Sequence, residues 1–283
     1  MGAPFRLACV QVNACNEIAT NVETASSLVR TAASEGAEFV SLPECVALME
    51  PDRKALFRKS FEETRHPALL SFRDLAAELK IWLHVGSLAI LSDNGRISNR
   101  TFVIDPNGVV SATYDKIHMF DVDLKNGQSY RESATYKSGD TAVVVDLPWG
   151  RAGLTICYDI RFPALYAHLA DAGADFIGIP SAFTRTTGRA HWHVLLRARA
   201  IETGCWVFAA AQCGDHAGGR QTYGHSLIVD PWGEIVSEAG KVPGVIVADI
   251  DPARVVAARR SIPSLANGRS YHQIGKEFKQ VLE

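Results

Sequence analysis

Three ionisable residues stand where packing alone would not place them. Cys157 closes the apolar run Ala152-Gly153-Leu154-Thr155-Ile156 and is followed by Tyr158-Asp159-Ile160-Arg161-Phe162-Pro163. The run predicts a buried strand and Pro163 suits the first turn of a helix, so the thiol falls at a strand-to-helix corner. Free N–H groups at a helix start stabilise a thiolate or an oxyanion. Glu44 ends the short apolar run that closes in Leu42-Pro43, at the carboxyl end of a strand, where open α/β sheets build their sites. Lys116 lies in Tyr114-Asp115-Lys116-Ile117-His118-Met119-Phe120, flanked by apolar and aromatic groups just after a predicted hairpin.

Taken singly, each has a bland explanation. A free cysteine is commonly a small buried hydrophobe, and an isolated charge is commonly solvated. Together they supply a nucleophile, a base and a cation. A thiol of pKa about 8.5 is mostly protonated near neutrality, so a carboxylate beside it takes the proton as the sulfur attacks. A fixed ammonium then stabilises the oxyanion, by about 3 kcal/mol for a well-placed donor. Glu, Lys and Cys suffice for amide hydrolysis without a histidine.

The other cysteines read as structural. Cys9, Cys205 and Cys213 lie in or beside apolar strands, Cys15 is a surface or loop thiol, and Cys45 follows Glu44. Two competing constellations are weaker. His191-Trp192-His193, with His216 and His225, offers a zinc reading, but histidines two apart on a helix diverge and no cysteine or carboxylate pair has zinc-like spacing. No metal or other cofactor is therefore expected. Gly218-Gly219 with Gly224 lacks the strand-to-helix setting and the following lysine of a phosphate loop, and reads as a flexible loop.

These groups need a frame, and the chain repeats one weakly. Gly36-Ala37-Glu38-Phe39-Val40-Ser41-Leu42-Pro43 is echoed by Gly173-Ala174-Asp175-Phe176-Ile177-Gly178-Ile179-Pro180. Asp105-Pro106-Asn107-Gly108 and Asp230-Pro231-Trp232-Gly233 both read as type I turns inside hairpins. Each half predicts strand, helix, strand, helix, strand, hairpin. Strands are expected at 6–12, 39–42 and 82–89, then 153–156, 176–179 and 206–211; helices at 22–34 and 69–79, then 164–172 and 192–203. Helices on mixed sheets, with two equivalent halves burying their second sheet faces together, give an α/β fold as a four-layer α-β-β-α sandwich. All three chemical residues then fall at or beyond strand ends, where one cleft can gather them.

Composition agrees with one enzyme domain over residues 1–283, with its core over about 5–251 and a polar extension over 252–283 that includes Arg259-Arg260 and Lys276. The chain is 47% hydrophobic and 21% charged, within ordinary globular usage. A net charge of −2 with no dense basic run argues against nucleic acid and anionic membrane as partners. The Met1–Arg6 segment carries no secretory or myristoylation pattern, and six irregularly spaced cysteines fit a reducing, cytoplasmic setting.

The motifs around Glu44, Lys116 and Cys157, in that order, resemble the nitrilase superfamily of carbon–nitrogen hydrolases, over about residues 5–251. The resemblance implies the same sandwich, pairing into homodimers, and a second glutamate in the loop after the lysine. Glu132 in Tyr130-Arg131-Glu132-Ser133 takes that place. The stretches 181–192, 197–203 and 223–226 look like the branch of deaminated-glutathione amidases and their ω-amidase relatives, the first subgroup being nearer. Such small amide substrates carry a carboxylate, which calls for a fixed guanidinium. Arg161 and Arg185 are the candidates, grouped with Tyr158 and Phe183 as substrate-binding residues, while a structural salt bridge is the competing role of either arginine. Room for a peptide leaving group is expected from loops at 183–189 and 215–221. The alternatives are an ω-amidase, a nitrile or N-carbamoyl hydrolase on the same residues, and a silent binding scaffold, which a lost Glu, Lys or Cys would favour.

Overall fold

The computed structural model describes residues 2–92, 95–124, 127, 129–270 and 272. The first half runs β1 (Phe5–Gln11), α1 (Ile18–Ser34), β2 (Phe39–Ser41), α2 (Arg53–Arg58), α3 (Pro67–Leu79), β3 (Trp82–Leu91), β4 (Ile97–Ile104) and β5 (Val110–Asp115). Three short strands follow, β6 (Asp121–Asp123), β7 (Ser129–Arg131) and β8 (Tyr136–Lys137). The second half runs β9 (Val143–Leu147), β10 (Gly150–Leu154), α4 (Pro163–Asp171), β11 (Phe176–Gly178), α5 (Arg185–Thr203), β12 (Trp206–Ala209), β13 (Cys213–Asp215), β14 (Gln221–Tyr223), β15 (Leu227–Val229) and β16 (Ile235–Glu238). β17 (Gly244–Ile250) and α6 (Ala253–Ser261) complete it.

The halves are built alike. One sheet has the order β17-β1-β2-β3-β4-β5 and the other β9-β10-β11-β12-β15-β16. In each, three central strands are parallel, an antiparallel strand flanks the first, and an antiparallel hairpin follows the third. Both hairpins close on the expected Asp-Pro-x-Gly turns: Asp105 and Asp230 each accept backbone N–H groups two and four residues on.

Alternation along β1 divides the layers. Phe5, Leu7 and Cys9 belong to the core between the sheets, while Ala8 and Val10 pack with Ala25, Val29 and Phe72 of α1 and α3. Across the sheet interface Phe5 meets Phe176 edge-on at 5.4 Å and Phe39 meets Phe208 at 5.4 Å. Tyr166 and Leu169 of α4 and Trp192 and Leu196 of α5 cover the second sheet. This is the four-layer sandwich.

Boundaries differ most at the starts of α1 and α5, while β10 begins three residues earlier than expected and ends at Leu154. α1 begins at Ile18, and Asn21 lies inside it, turned inward to bond the backbone of Cys15 and Ala47. α5 begins at Arg185, so much of the expected 183–189 loop is helix. Thr184 caps it by accepting from the Thr187 N–H, and Gly188 sits inside it because a Cβ there would lie 2.3 Å from the Tyr223 ring. The segment after residue 251 also has a place on its own chain: Val255 is buried, and Arg259 donates to the carbonyls of Thr203 and Ala174. Lys276 lies outside the described residues.

Candidate active site

Each half delivers one edge of the site from the carboxyl ends of its parallel strands. Beyond β2 the chain passes through Pro43 and turns sharply at Cys45, whose φ is 55°; beyond β10 it turns at Cys157, with φ 49°. Both are non-glycine residues in the left-handed region, a strain that persists only where surrounding structure holds it. Cys157 opens a short 3₁₀ turn (Cys157–Arg161) before Pro163 starts α4. Its own N–H is not free, as the strand-to-helix corner suggested, but donates to the Pro180 carbonyl at 3.0 Å.

Glu44, Lys116, Glu132 and Cys157 line one cavity. The Lys116 Nζ donates to Glu44 Oε1 at 2.9 Å and to both Glu132 oxygens at 2.9 and 3.0 Å. Glu44 Oε2 accepts the Ala182 N–H at 2.8 Å, and the Glu44 carboxylate lies near enough to the Cys157 thiol for each to perturb the other's ionisation. Glu132 accepts the Phe120 N–H at 2.6 Å. All but Glu132 are buried, and Glu132 nearly so.

These contacts set the resting charges. Burial pushes the Glu44 carboxyl up, but the charges of Lys116 and Arg220 more than reverse this and hold it below the ordinary carboxylate value. Burial opposes charge on Lys116 too, yet Glu132 and Glu44 raise it well above an ordinary lysine. Burial, reinforced by Glu44, holds the Cys157 thiol well above its usual value. The site therefore rests as carboxylate, ammonium and neutral thiol. A base waits beside its proton.

Three supporting groups escaped the sequence reading. Asn99, in mid-β4, donates to Glu44 Oε1 at 3.0 Å and to Glu132 Oε1 at 3.2 Å, fixing the two acids relative to each other. Asp159, fully buried, accepts from the Tyr114 hydroxyl and from the N–H groups of His118 and Ile156, and contacts His118 Nδ1 at 2.7 Å. It thus clamps the lysine loop to the cysteine loop; both motifs were visible, but their contact was not. Arg220 lines the cavity from the hairpin β13–β14.

Of the proposed substrate contacts, Tyr158 and Phe183 line the cavity, while Arg161 and Arg185 do not. Arg161 lies over the Phe183 and Tyr158 rings at 5.3 and 5.9 Å and bonds His191 Nδ1. Arg185 pairs with Asp215 at 2.9 Å. Position after a strand end did not fix direction: helix α5 carries Arg185 outward. The expected 215–221 loop is the connection between β13 and β14, and Gly218 lies against Pro51, since a Cβ on Gly218 would come within 2.7 Å of the Pro51 side chain. Among the histidines, His193 and His225 do converge, both on Glu238 Oε1 at 3.0 and 2.8 Å. None of those three lines the cavity.

Residues 6–260 match the carbon–nitrogen hydrolase family. The chain is 38% identical over 266 residues to the deaminated glutathione amidase of Synechocystis sp., covering 93% of this chain and 97% of that one. It is 36% identical to the omega-amidase NIT2 of Homo sapiens, covering 94% and 95%. The crystal structure of Saccharomyces cerevisiae Nit3, a member of branch 10 of the nitrilase superfamily, superposes with a TM-score of 0.83 at 28% identity, covering 92% of this chain and 95% of that one. With its two-half sandwich and these relatives, the chain belongs to the carbon–nitrogen hydrolases of the nitrilase superfamily.

Proposed function

We propose that this protein is an amidase that cleaves deaminated glutathione to 2-oxoglutarate and Cys-Gly through a thioester on Cys157. The observation that carries the mechanism is the Glu44 carboxylate, which bonds the Lys116 ammonium at 2.9 Å and shares the cavity with the Cys157 thiol, whose ionisation it opposes. In this reading Glu44 takes the thiol proton as sulfur attacks the amide carbon, and Lys116 stabilises the oxyanion. Collapse expels the amine, which receives that proton. Water then attacks the thioester, with Glu44 again accepting a proton and Glu132 orienting Lys116. The products leave as carboxylate and amine, and the thiol is restored.

The substrate assignment rests on the Synechocystis relative, and the ω-amidase alternative on the human one. Both substrates present the same acyl half, so the difference must come from room for the leaving group. A favourable contact there changes specificity by roughly ten- to a few-hundred-fold. The test is kcat/KM on deaminated glutathione against 2-oxoglutaramate: a clear excess for the first supports the proposal, and equal or better use of the second reassigns the chain to the ω-amidases. Activity confined to nitriles or N-carbamoyl acids contradicts both. No turnover of any substrate by folded protein indicates a silent scaffold.

We further place the protein in the cytoplasm as a homodimer. Six free cysteines suit a reducing compartment, and among the described residues no helix is long and apolar enough to cross a membrane. Val194, Ile201, Trp232 and Val236, on α5 and the β15–β16 hairpin, are exposed apolar groups that a second copy would cover.

A further inference from the structure

Of the charged side chains that line the cavity, Glu44, Lys116 and Glu132 are bonded to one another, Glu50 and Arg131 pair with Lys59 and Asp123, and Arg53 is exposed. There remains Arg220. Its Nη2 donates to the Ala182 carbonyl at 2.9 Å and its guanidinium lies over the Tyr130 ring at 5.8 Å. Its Nε is sealed from solvent and meets no acceptor among the described residues, nor does the side chain ion-pair with any described carboxylate. The placement is built rather than incidental. The turn before it packs on Pro51, the His216 N–H donates to the Arg220 carbonyl at 2.8 Å, and the His216 ring is held by Ala14 and Thr222. Arg220 shares the cavity with Glu44 and Cys157, so it lies beside the reacting groups. A guanidinium fixed in a cavity without its own carboxylate is suited to one that arrives, because its planar fork matches that group.

We propose that Arg220 is the residue that binds the carboxylate at the far end of the acyl half of the substrate, and so sets how strongly the enzyme discriminates against the uncharged amide of the same length. The acyl half is the one that must be gripped, since it alone stays on sulfur through both half-reactions. Arg220 also reports binding to the base: it holds the Ala182 carbonyl, whose residue's N–H holds Glu44. This inference rests on the amidase reading above.

The test compares kcat/KM for glutaramate with that for pentanamide, its uncharged counterpart, in wild type, R220K and R220Q. The wild type is expected to favour glutaramate, and R220Q to lower the glutaramate-to-pentanamide ratio by roughly 30-fold or more, with R220K recovering part of it. An equal fall on both amides would make Arg220 a structural support and overturn the proposal, as would an unchanged ratio. No wild-type preference for glutaramate would overturn it while leaving the amidase reading standing. A second readout needs no turnover: in Cys157→Ala protein, adding R220Q should weaken glutarate binding by a similar factor in calorimetry, and unaltered affinity contradicts the proposal even if no amide is cleaved.

Discussion

At the scale of single residues, the site works by holding opposite charges out of water while leaving one proton to move. Because Glu44 is held below and Lys116 well above their ordinary values, the competent ionisation state spans neutrality. The account therefore predicts a kcat/KM that is flat from about pH 5 to pH 10, with its acid limb from protonation of Glu44 and its alkaline limb from loss of the Lys116 proton. A limb centred near pH 6.5 would point to a histidine instead. Glu44→Gln should abolish the pre-steady-state burst of released amine, since it removes the acceptor for the thiol proton. Asn99→Ala tests positioning: with both acids free to drift, kcat is expected to fall by roughly 10²-fold while KM changes little. A large rise in KM at constant kcat would place Asn99 in substrate binding instead. Glu44 and Cys157 were legible because each ends an apolar run at a strand end, and Lys116 because it stands among apolar and aromatic groups just after a predicted hairpin. Asn99 was not, since a polar residue within β4 has no local signature; only the fold brings it to two carboxylates.

At the scale of elements, the sheets meet over His84. It is buried between Ser41 and Thr101 and faces Phe208 edge-on at 5.8 Å. Thr101 Oγ1 donates to the Val85 carbonyl, so it accepts from His84 Nε2–H, which leaves Nδ1 to accept from Ser41. Both nitrogens are satisfied in the neutral ring, and burial lowers the His84 pKa to about 3. A histidine whose folded value lies below its unfolded one has no effect above pH 6.5 and destabilises as pH falls from there towards 3. At pH 5 the cost is about 2 kcal/mol. Chemical denaturation at pH 7 and pH 5 should show that loss, and His84→Gln should shrink it; an identical pH dependence in the variant would refute the role. Strands and the Asp-Pro-x-Gly hairpins were readable from alternation and turn chemistry. The start of α5 was not, because Thr-Arg-Thr-Thr-Gly looks like a turn until Thr184 is seen as its cap and β14 as the neighbour that requires Gly188.

At the scale of the molecule, two similar halves contribute unlike residues to one cavity, Glu44, Lys116 and Glu132 from the first and Cys157, Phe183 and Arg220 from the second. The Asp159 clamp joins the halves beside the nucleophile, and Asp159→Asn should both destabilise the protein by about 3 kcal/mol and slow turnover, because donors that met a buried carboxylate would meet an amide. Differential scanning calorimetry together with kcat decides this, and a change in neither contradicts it. The repeat motifs made the halves readable in sequence, but that Arg220 rather than Arg161 or Arg185 lines the cavity depends on how α5 and the β13–β14 hairpin pack, which local pattern does not encode. Bond cleavage through Cys157 underlies every step above. In mass spectrometry of rapidly quenched turnover with deaminated glutathione, a 2-oxoglutaryl adduct is expected on the peptide carrying Cys157 and absent in Cys157→Ala, whereas turnover with that peptide unlabelled, or label on the Cys45 peptide alone, would rule the thioester on Cys157 out.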